Sequence, residues 1–357
     1  MPAELMNYSA VSTKVRAMYG ARLAPEDYER MLSMGSLAEV ASYISSSTGW
    51  RAAFDSLDPA GMRRDAMVSL LRRHYMSEYS RLFYYLDRND RGVFRAPVAL
   101  AELEQLMRFM RLAADGKASE YKSDLPEYFG RRSKINYSKL PAAETYDDML
   151  EAVKDTGFYK SLRDLRPDDG GFPSYLSVET ALRAYAFREM AAVSKTGAAA
   201  KTRLLLRESA GVQADWFNIT VIDRVLTHYP ELRQNILGCL LPAGAHLKPQ
   251  ELRRLYETDG PAEMRLALES TFYGDFVRRW PEESLERVSR RYFLRFFGRH
   301  VSSGTPSLIV PVAFFQIYEI ELKNLIHVIE CVRYGIPAES AMSYVITDKR
   351  EQMSDNR

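Results

Sequence analysis

Residues 23–32 read Leu-Ala-Pro-Glu-Asp-Tyr-Glu-Arg-Met-Leu, which has the form of a helix start. Proline is tolerated in the first helical turn because that turn's N–H groups have no intrahelical partner, and carboxylates there meet the positive end of the helix dipole. The pattern returns as Leu-Pro-Ala-Ala-Glu-Thr-Tyr-Asp-Asp-Met-Leu from Leu140 and as Leu-Lys-Pro-Gln-Glu-Leu-Arg-Arg-Leu-Tyr from Leu247. A second motif, acid-x-x-amide-apolar, occurs at Glu102/Gln105/Leu106, Asp215/Asn218/Ile219 and Glu321/Asn324/Leu325. The two motifs stay in register, separated by 79 residues (23 to 102), 75 (140 to 215) and 74 (247 to 321). Each motif is ordinary alone; three copies in register predict an origin by triplication.

The predicted repeats are 1–125, 126–240 and 241–347, with 348–357 a polar C-terminal tail. Apolar residues recur at helical spacing, as in Met67, Leu70, Leu71, Tyr75, Tyr79, Leu82 and Leu86, and in Val178, Leu182, Tyr185, Phe187 and Met190. No Asn-Gly or Asp-Gly pair between apolar runs marks a hairpin, so the expected fold is all-α. Turns are expected at 58–61, 166–171, 241–244 and 302–306, where proline and glycine cluster. Units with one apolar face bury it against neighbours. Three of them in a quasi-threefold arrangement would close around an axis as a funnel-shaped socket, and an open linear array is the alternative.

The 49 basic and 47 acidic side chains leave a net charge of +2, whereas a nucleic-acid-binding domain usually carries a clear basic excess. Cys239 and Cys331 lie in apolar neighbourhoods with no CxxC, which argues against a disulfide scaffold or zinc module. No signal or transit peptide is visible, so a cytoplasmic location is expected. The longest apolar run, Leu308 to Phe315, is broken by Pro311 and falls short of the roughly 20 residues a spanning helix needs. Any membrane association is then peripheral.

The search for chemistry yields little. Residues 196–202, Thr-Gly-Ala-Ala-Ala-Lys-Thr, superficially look like a phosphate loop, but the two required glycine positions hold Lys195 and Ala200. The five histidines form no i, i+4 pair, and Asp87, Asp90, Asp168 and Asp169 lack the spacing of a calcium loop. No catalytic residue, cofactor, metal or small-molecule substrate is expected. Between Arg278 and His300, arginines including Arg287, Arg291 and Arg295 alternate with Trp280, Tyr292, Phe293, Phe296 and Phe297. Such a mixture can bind RNA by phosphate neutralisation and stacking, or serve a protein scaffold. The favoured reading is a core stripe of Tyr292, Phe293, Phe296 and Phe297 with arginines that snorkel outward or pair with acidic surface, an acidic partner protein being one form of that pairing. Glu102/Gln105, Asp215/Asn218 and Glu321/Asn324 each lie one turn apart on a helix face; the favoured role is structural, satisfying loop backbone groups or contacting the preceding helix, and partner contact is the alternative.

Tyr8, Val15-Arg16-Ala17-Met18, Arg22-Leu23, Tyr28, Leu32 and Leu37 resemble the opening of the V/A-type ATPase C-subunit family, whose eukaryotic members are the d subunits of vacuolar pumps. Asp215, Asn218, Ile219 and Arg224 resemble its central segment. Glu321, Asn324, Leu325 and residues 328–332, with the exit at 334–337, resemble its last long helix. Gln105 departs from the series where an asparagine would complete it. The resemblance implies a non-catalytic central-stalk protein made of three similar helical subdomains. It would sit on the cytoplasmic face of the membrane proteolipid ring, receive the D- and F-type shaft subunits, and transmit torque for proton or sodium transport. Nucleic acid is not an expected partner.

Overall fold

The computed structural model describes residues 3–54, 62–86, 90, 95–123, 125, 127–193, 199–241, 244–302 and 305–347. The expected turn at 58–61, residues 242–243 and 303–304 of two others, residues 196–198, Asp87, and the tail from Asp348 lie outside the described residues. All regular structure among those described is helical, as the periodicity implies.

In chain order the helices are α1 (Ala3–Gly20), α2 (Pro25–Leu32), α3 (Leu37–Ser47), α4 (Arg64–Phe83), α5 (Arg95–Ala114) and α6 (Glu127–Gly130). They continue with α7 (Tyr146–Val153), α8 (Tyr159–Arg163), α9 (Tyr175–Val193), α10 (Ala200–His228) and α11 (Pro249–Tyr256). The last are α12 (Pro261–Leu268), α13 (Gly274–Arg278), α14 (Leu285–Ser302), α15 (Ile309–Tyr334) and α16 (Ala338–Ser343).

The helix-start motif works through its third helical residue. Asp27, Asp148 and Glu251 each reach back to accept the N–H of the residue before their helix, at 2.7 Å from Ala24, 2.9 Å from Thr145 and 2.8 Å from Lys248. That bond satisfies an otherwise orphaned donor. Pro25 and Pro249 occupy the first helical position of α2 and α11. The middle copy differs: Pro141 falls in a 3-10 turn, Leu140–Ala142, and α7 begins only at Tyr146. Thr145 is the reason, because its Oγ1 accepts the Asp148 N–H at 3.2 Å and fixes the helix start there.

Tertiary contacts divide the chain into two compact units, Met1–Asp87 with Glu282–Arg357, and Arg88–Pro281. In the first unit α15 is the central helix, packed by α14, α4, α1, α2, α3 and α16. Trp50 stacks on Tyr318 with ring centroids 4.4 Å apart, and Tyr79 meets Phe315 at 4.3 Å. The helix stops at Gly335, whose φ of +63° is left-handed, and Ile336 N–H turns back to the Cys331 carbonyl at 2.9 Å. In the second unit α9 packs against α5, α8 and α10, and α10 against α11 and α12. Leu106, Phe109, Tyr121, Met149, Phe158 and Val178 belong to one buried cluster there.

Candidate functional site: three carboxylate latches

Asp215 sits in the middle of α10, 1% exposed. Its Oδ2 accepts the backbone N–H groups of Ala245, His246 and Leu247 at 3.0, 2.8 and 3.3 Å, and the Tyr273 hydroxyl at 2.8 Å. Close approach makes this possible. A Cβ on Gly211, one turn earlier, would lie 2.8 Å from the Ala245 backbone, and one on Gly244 would lie 1.4 Å from Asp215 Oδ1. Asn218, one turn later, pairs with Leu241 in both directions: its Oδ1 accepts the Leu241 N–H at 2.7 Å and its Nδ2 donates to the Leu241 carbonyl at 3.1 Å. A side-chain amide carries donor and acceptor side by side, so it imitates a backbone partner for a loop that has none. Burial raises the Asp215 carboxyl above its ordinary range, and the amide and phenol donors oppose the rise.

Glu321 repeats the arrangement on α15, 5% exposed. Its Oε2 accepts the Leu23 N–H at 3.1 Å, and its Oε1 accepts the Trp50 indole N–H at 2.6 Å. Asn324 pairs both ways with Ile346, at 3.2 and 2.8 Å. Desolvation pushes the Glu321 carboxyl up to about 7, against the lowering effects of the Trp50 bond, the Arg22 charge and the Leu23 amide.

Glu102 on α5 accepts the Ser133 hydroxyl at 2.7 Å, and Ser133 in turn meets the Tyr137 hydroxyl at 3.0 Å. Burial raises this carboxyl too, opposed by Ser133 and the Lys134 backbone. Gln105 accepts the Tyr121 hydroxyl at 3.0 Å, a side-chain bond where the asparagines hold backbone. Each motif carboxylate thus binds the stretch leading to a helix start. Glu102 reaches the residues before Leu140, Asp215 reaches Leu247, and Glu321 reaches back to Leu23.

Sequence reasoning missed the aromatic donors. Trp50 and Tyr273 follow Leu23 and Leu247 by nearly the same interval, 27 and 26 residues, and that correspondence was the available signal. It also missed Ser133, whose segment has no counterpart in either motif.

The family model described as the ATP synthase (C/AC39) subunit matches residues 11–344. This chain belongs to that family. It is similar to the C subunit of the A-type ATP synthase of Methanosarcina acetivorans, with 25% identity over 331 residues, 89% of this chain and 87% of that protein. The same subunit of Methanosarcina mazei is 24% identical over 334 residues, 88% and 85% of the two chains. That of Methanosphaera stadtmanae is 25% identical over 207 residues, 54% and 51% of the two chains.

In this C/AC39 chain the arginine-rich stretch is largely engaged within the protein. Arg291, 1% exposed, makes a two-pronged pair with Glu283 at 2.8 Å from both Nε and Nη2. Arg287 contacts the same carboxylate at 3.2 Å, donates to the Ser343 carbonyl at 2.6 Å, and lies 4.5 Å from the Tyr344 ring centre. Arg290 pairs with Glu286 at 2.5 Å. Arg295 is half-buried on the same helix, and Arg299 is exposed. Leu294 and Phe297 form the buried side of α14, while Tyr292, Phe293 and Phe296 are only half-buried. Among the described residues no group of three or more His, Cys, Asp or Glu side chains converges as a metal would need. None of the described helices is long and apolar enough to cross a membrane.

Proposed function

We propose that this protein is the non-catalytic central-stalk component of a V/A-type rotary ATPase, joining the rotor shaft to the membrane proteolipid ring. The observation that carries this reading is the family match over residues 11–344, nearly the whole chain. In the proposed mechanism, three helical subdomains form a socket for the D- and F-type shaft subunits, and the protein is peripheral on the membrane through the ring. Rotation of the shaft turns this protein, and the ring turns with it to move protons or sodium ions. A part in torque transfer demands resistance to shear. Close-packed helices supply it, because a dense interior transmits strain. Carboxylates tied to loop backbone suit such a part better than acid–base catalysis. Glu102, Asp215 and Glu321 fasten long helices to the loops that begin short ones.

The test is reconstitution. Membranes stripped of this protein should lose ATP-driven ion transport while the soluble head keeps hydrolysing ATP, and adding the purified chain should restore transport. A tagged chain should also bring down shaft and proteolipid subunits from native membranes. Recovery of neither, or transport that is indifferent to the chain, overturns the proposal.

A further inference from the structure

The second half of α14 carries two rows of side chains that recur every four residues. Rings stand at Tyr292, Phe296 and His300, and guanidinium groups at Arg295 and Arg299. At 3.6 residues per turn the two rows run side by side, on the face away from the buried Leu294, Phe297 and Val301. Tyr292 and Phe296 are nearly parallel with ring centres 6.1 Å apart, and Phe296 meets His300 edge-on at 5.0 Å. Arg299 is exposed and makes no ion pair among the described residues; the other four are half-buried.

The surroundings carry one sign of charge. The chain has 47 acidic side chains in 357 residues, yet none occurs from Arg287 to Tyr318, and none from Leu5 to Pro25. Folding brings these two acid-free stretches together, since α1 packs against α14. Arg16 Nε donates to the Val301 carbonyl at 3.2 Å, and a Cβ on Gly298 would lie 3.5 Å from the Tyr19 hydroxyl. Arg22 covers the Tyr19 ring at 4.0 Å. Around the circumference of α14, Arg295 and Arg299 fall between the ring row and Gly298, so the arginine row borders α1 and its cations. The helix dipole accounts for cations in the last turn, Arg299 and His300, but not for Arg295 or for the half-buried rings beside them.

We propose that this face of α14 docks an acidic amphipathic helix of a partner protein. The rings meet its apolar ridge, and Arg295 and Arg299 meet carboxylates spaced one turn apart. Aromatic residues and arginine are the side chains enriched at protein interfaces, where lysine is depleted. Rows that repeat every four residues match the ridge of a second helix. An anionic lipid surface requires no such register. Stacking of unpaired bases requires open ring faces, whereas Tyr292 and Phe296 are turned toward each other. The proposal stands independently of the stalk role.

Photocrosslinking in the assembled complex tests it. Phe296→benzoylphenylalanine in the full chain, irradiated in native membranes, should join a partner protein at a segment whose Asp or Glu residues recur every three or four positions. Adding Arg299→Glu, a charge reversal at an exposed position, should lower the crosslink yield about tenfold, because carboxylates would then face a carboxylate. Arg299→Lys keeps the charge and should retain most of the yield, and Arg253→Glu, on α11 of the other unit, should leave it unchanged. Crosslinks to lipid, to RNA or to a segment without carboxylates overturn the proposal, as does no intermolecular product or a yield indifferent to Arg299→Glu. An acidic helix of a protein outside the rotary ATPase would uphold the docking face and count against the stalk role alone.

Discussion

Asp215 and Glu321 occupy the same place in the same motif, yet they hold their loops differently. Asp215 gathers three consecutive backbone amides and a phenol on one oxygen. Glu321 divides its two oxygens between a backbone amide and an indole from two remote segments. The first is a loop folding back on the helix it has just left. The second joins early and late parts of the chain, which loses more entropy on assembly. A repeated motif thus keeps its chemistry, a buried carboxylate facing N–H donors, while chain connectivity decides how many donors one segment can supply.

A methyl group added at the tightest contact should have the largest effect. Gly244→Ala places a Cβ 1.4 Å from Asp215 Oδ1 and should destabilise the 88–281 unit by on the order of 4 kcal/mol. Gly49→Ala meets the Ala21 oxygen at 2.9 Å and should cost about 1–2 kcal/mol. Urea unfolding of the two variants checks the order, and equal losses would mean that the loops at Asp215 and Glu321 are equally tight.

Removing the paired amides comes next. Asn218→Ala and Asn324→Ala each strand a buried backbone N–H and C=O, at a cost of about 2–3 kcal/mol, whereas Gln105→Ala releases only a tyrosine hydroxyl and should cost about 1 kcal/mol. Thermal melting at fixed pH separates them. A Gln105→Ala loss as large as the other two would show that all three amides act alike.

Donor number gives a smaller contrast. Trp50→Phe removes one of the two hydrogen bonds described at Glu321 and should cost about 2 kcal/mol; Tyr273→Phe leaves Asp215 three amides and should cost about 1 kcal/mol. Denaturant midpoints for both variants measure it, and the reverse order would refute the donor argument. The least effect is expected at the helix starts. Thr145→Ala removes the Oγ1 cap of α7 and should cost about 1 kcal/mol, read as faster amide exchange in residues 146–150.

Much of the fold was legible because helices are local. The 3.6-residue periodicity and the prolines and carboxylates of the first helical turns all act within a few residues; the back-reaching bonds those carboxylates make emerged only in the fold. The middle copy was misplaced for an equally local reason: Leu140 and Pro141 imitate the start of α2, but a Thr145 cap overrides them. The six motif residues were legible as a pattern. Their partners were not, since Leu241, Ile346, Ser133 and Tyr121 carry no motif and enter through backbone groups or plain hydroxyls. The arginine-rich stretch was ambiguous for a related reason. An arginine that neutralises phosphate and one that pairs with Glu283 are spelled alike, and only distance separates them.

The helices and the threefold recurrence of acid and amide follow from the order of residues alone, because each depends on near neighbours in the chain. Which loop each carboxylate holds, and that Glu321 reaches Leu23 and Trp50 at the far end of the chain, emerges only once the helices are packed. A side chain's type fixes how many hydrogen bonds it can make, while the packing of distant helices fixes which donors arrive within reach.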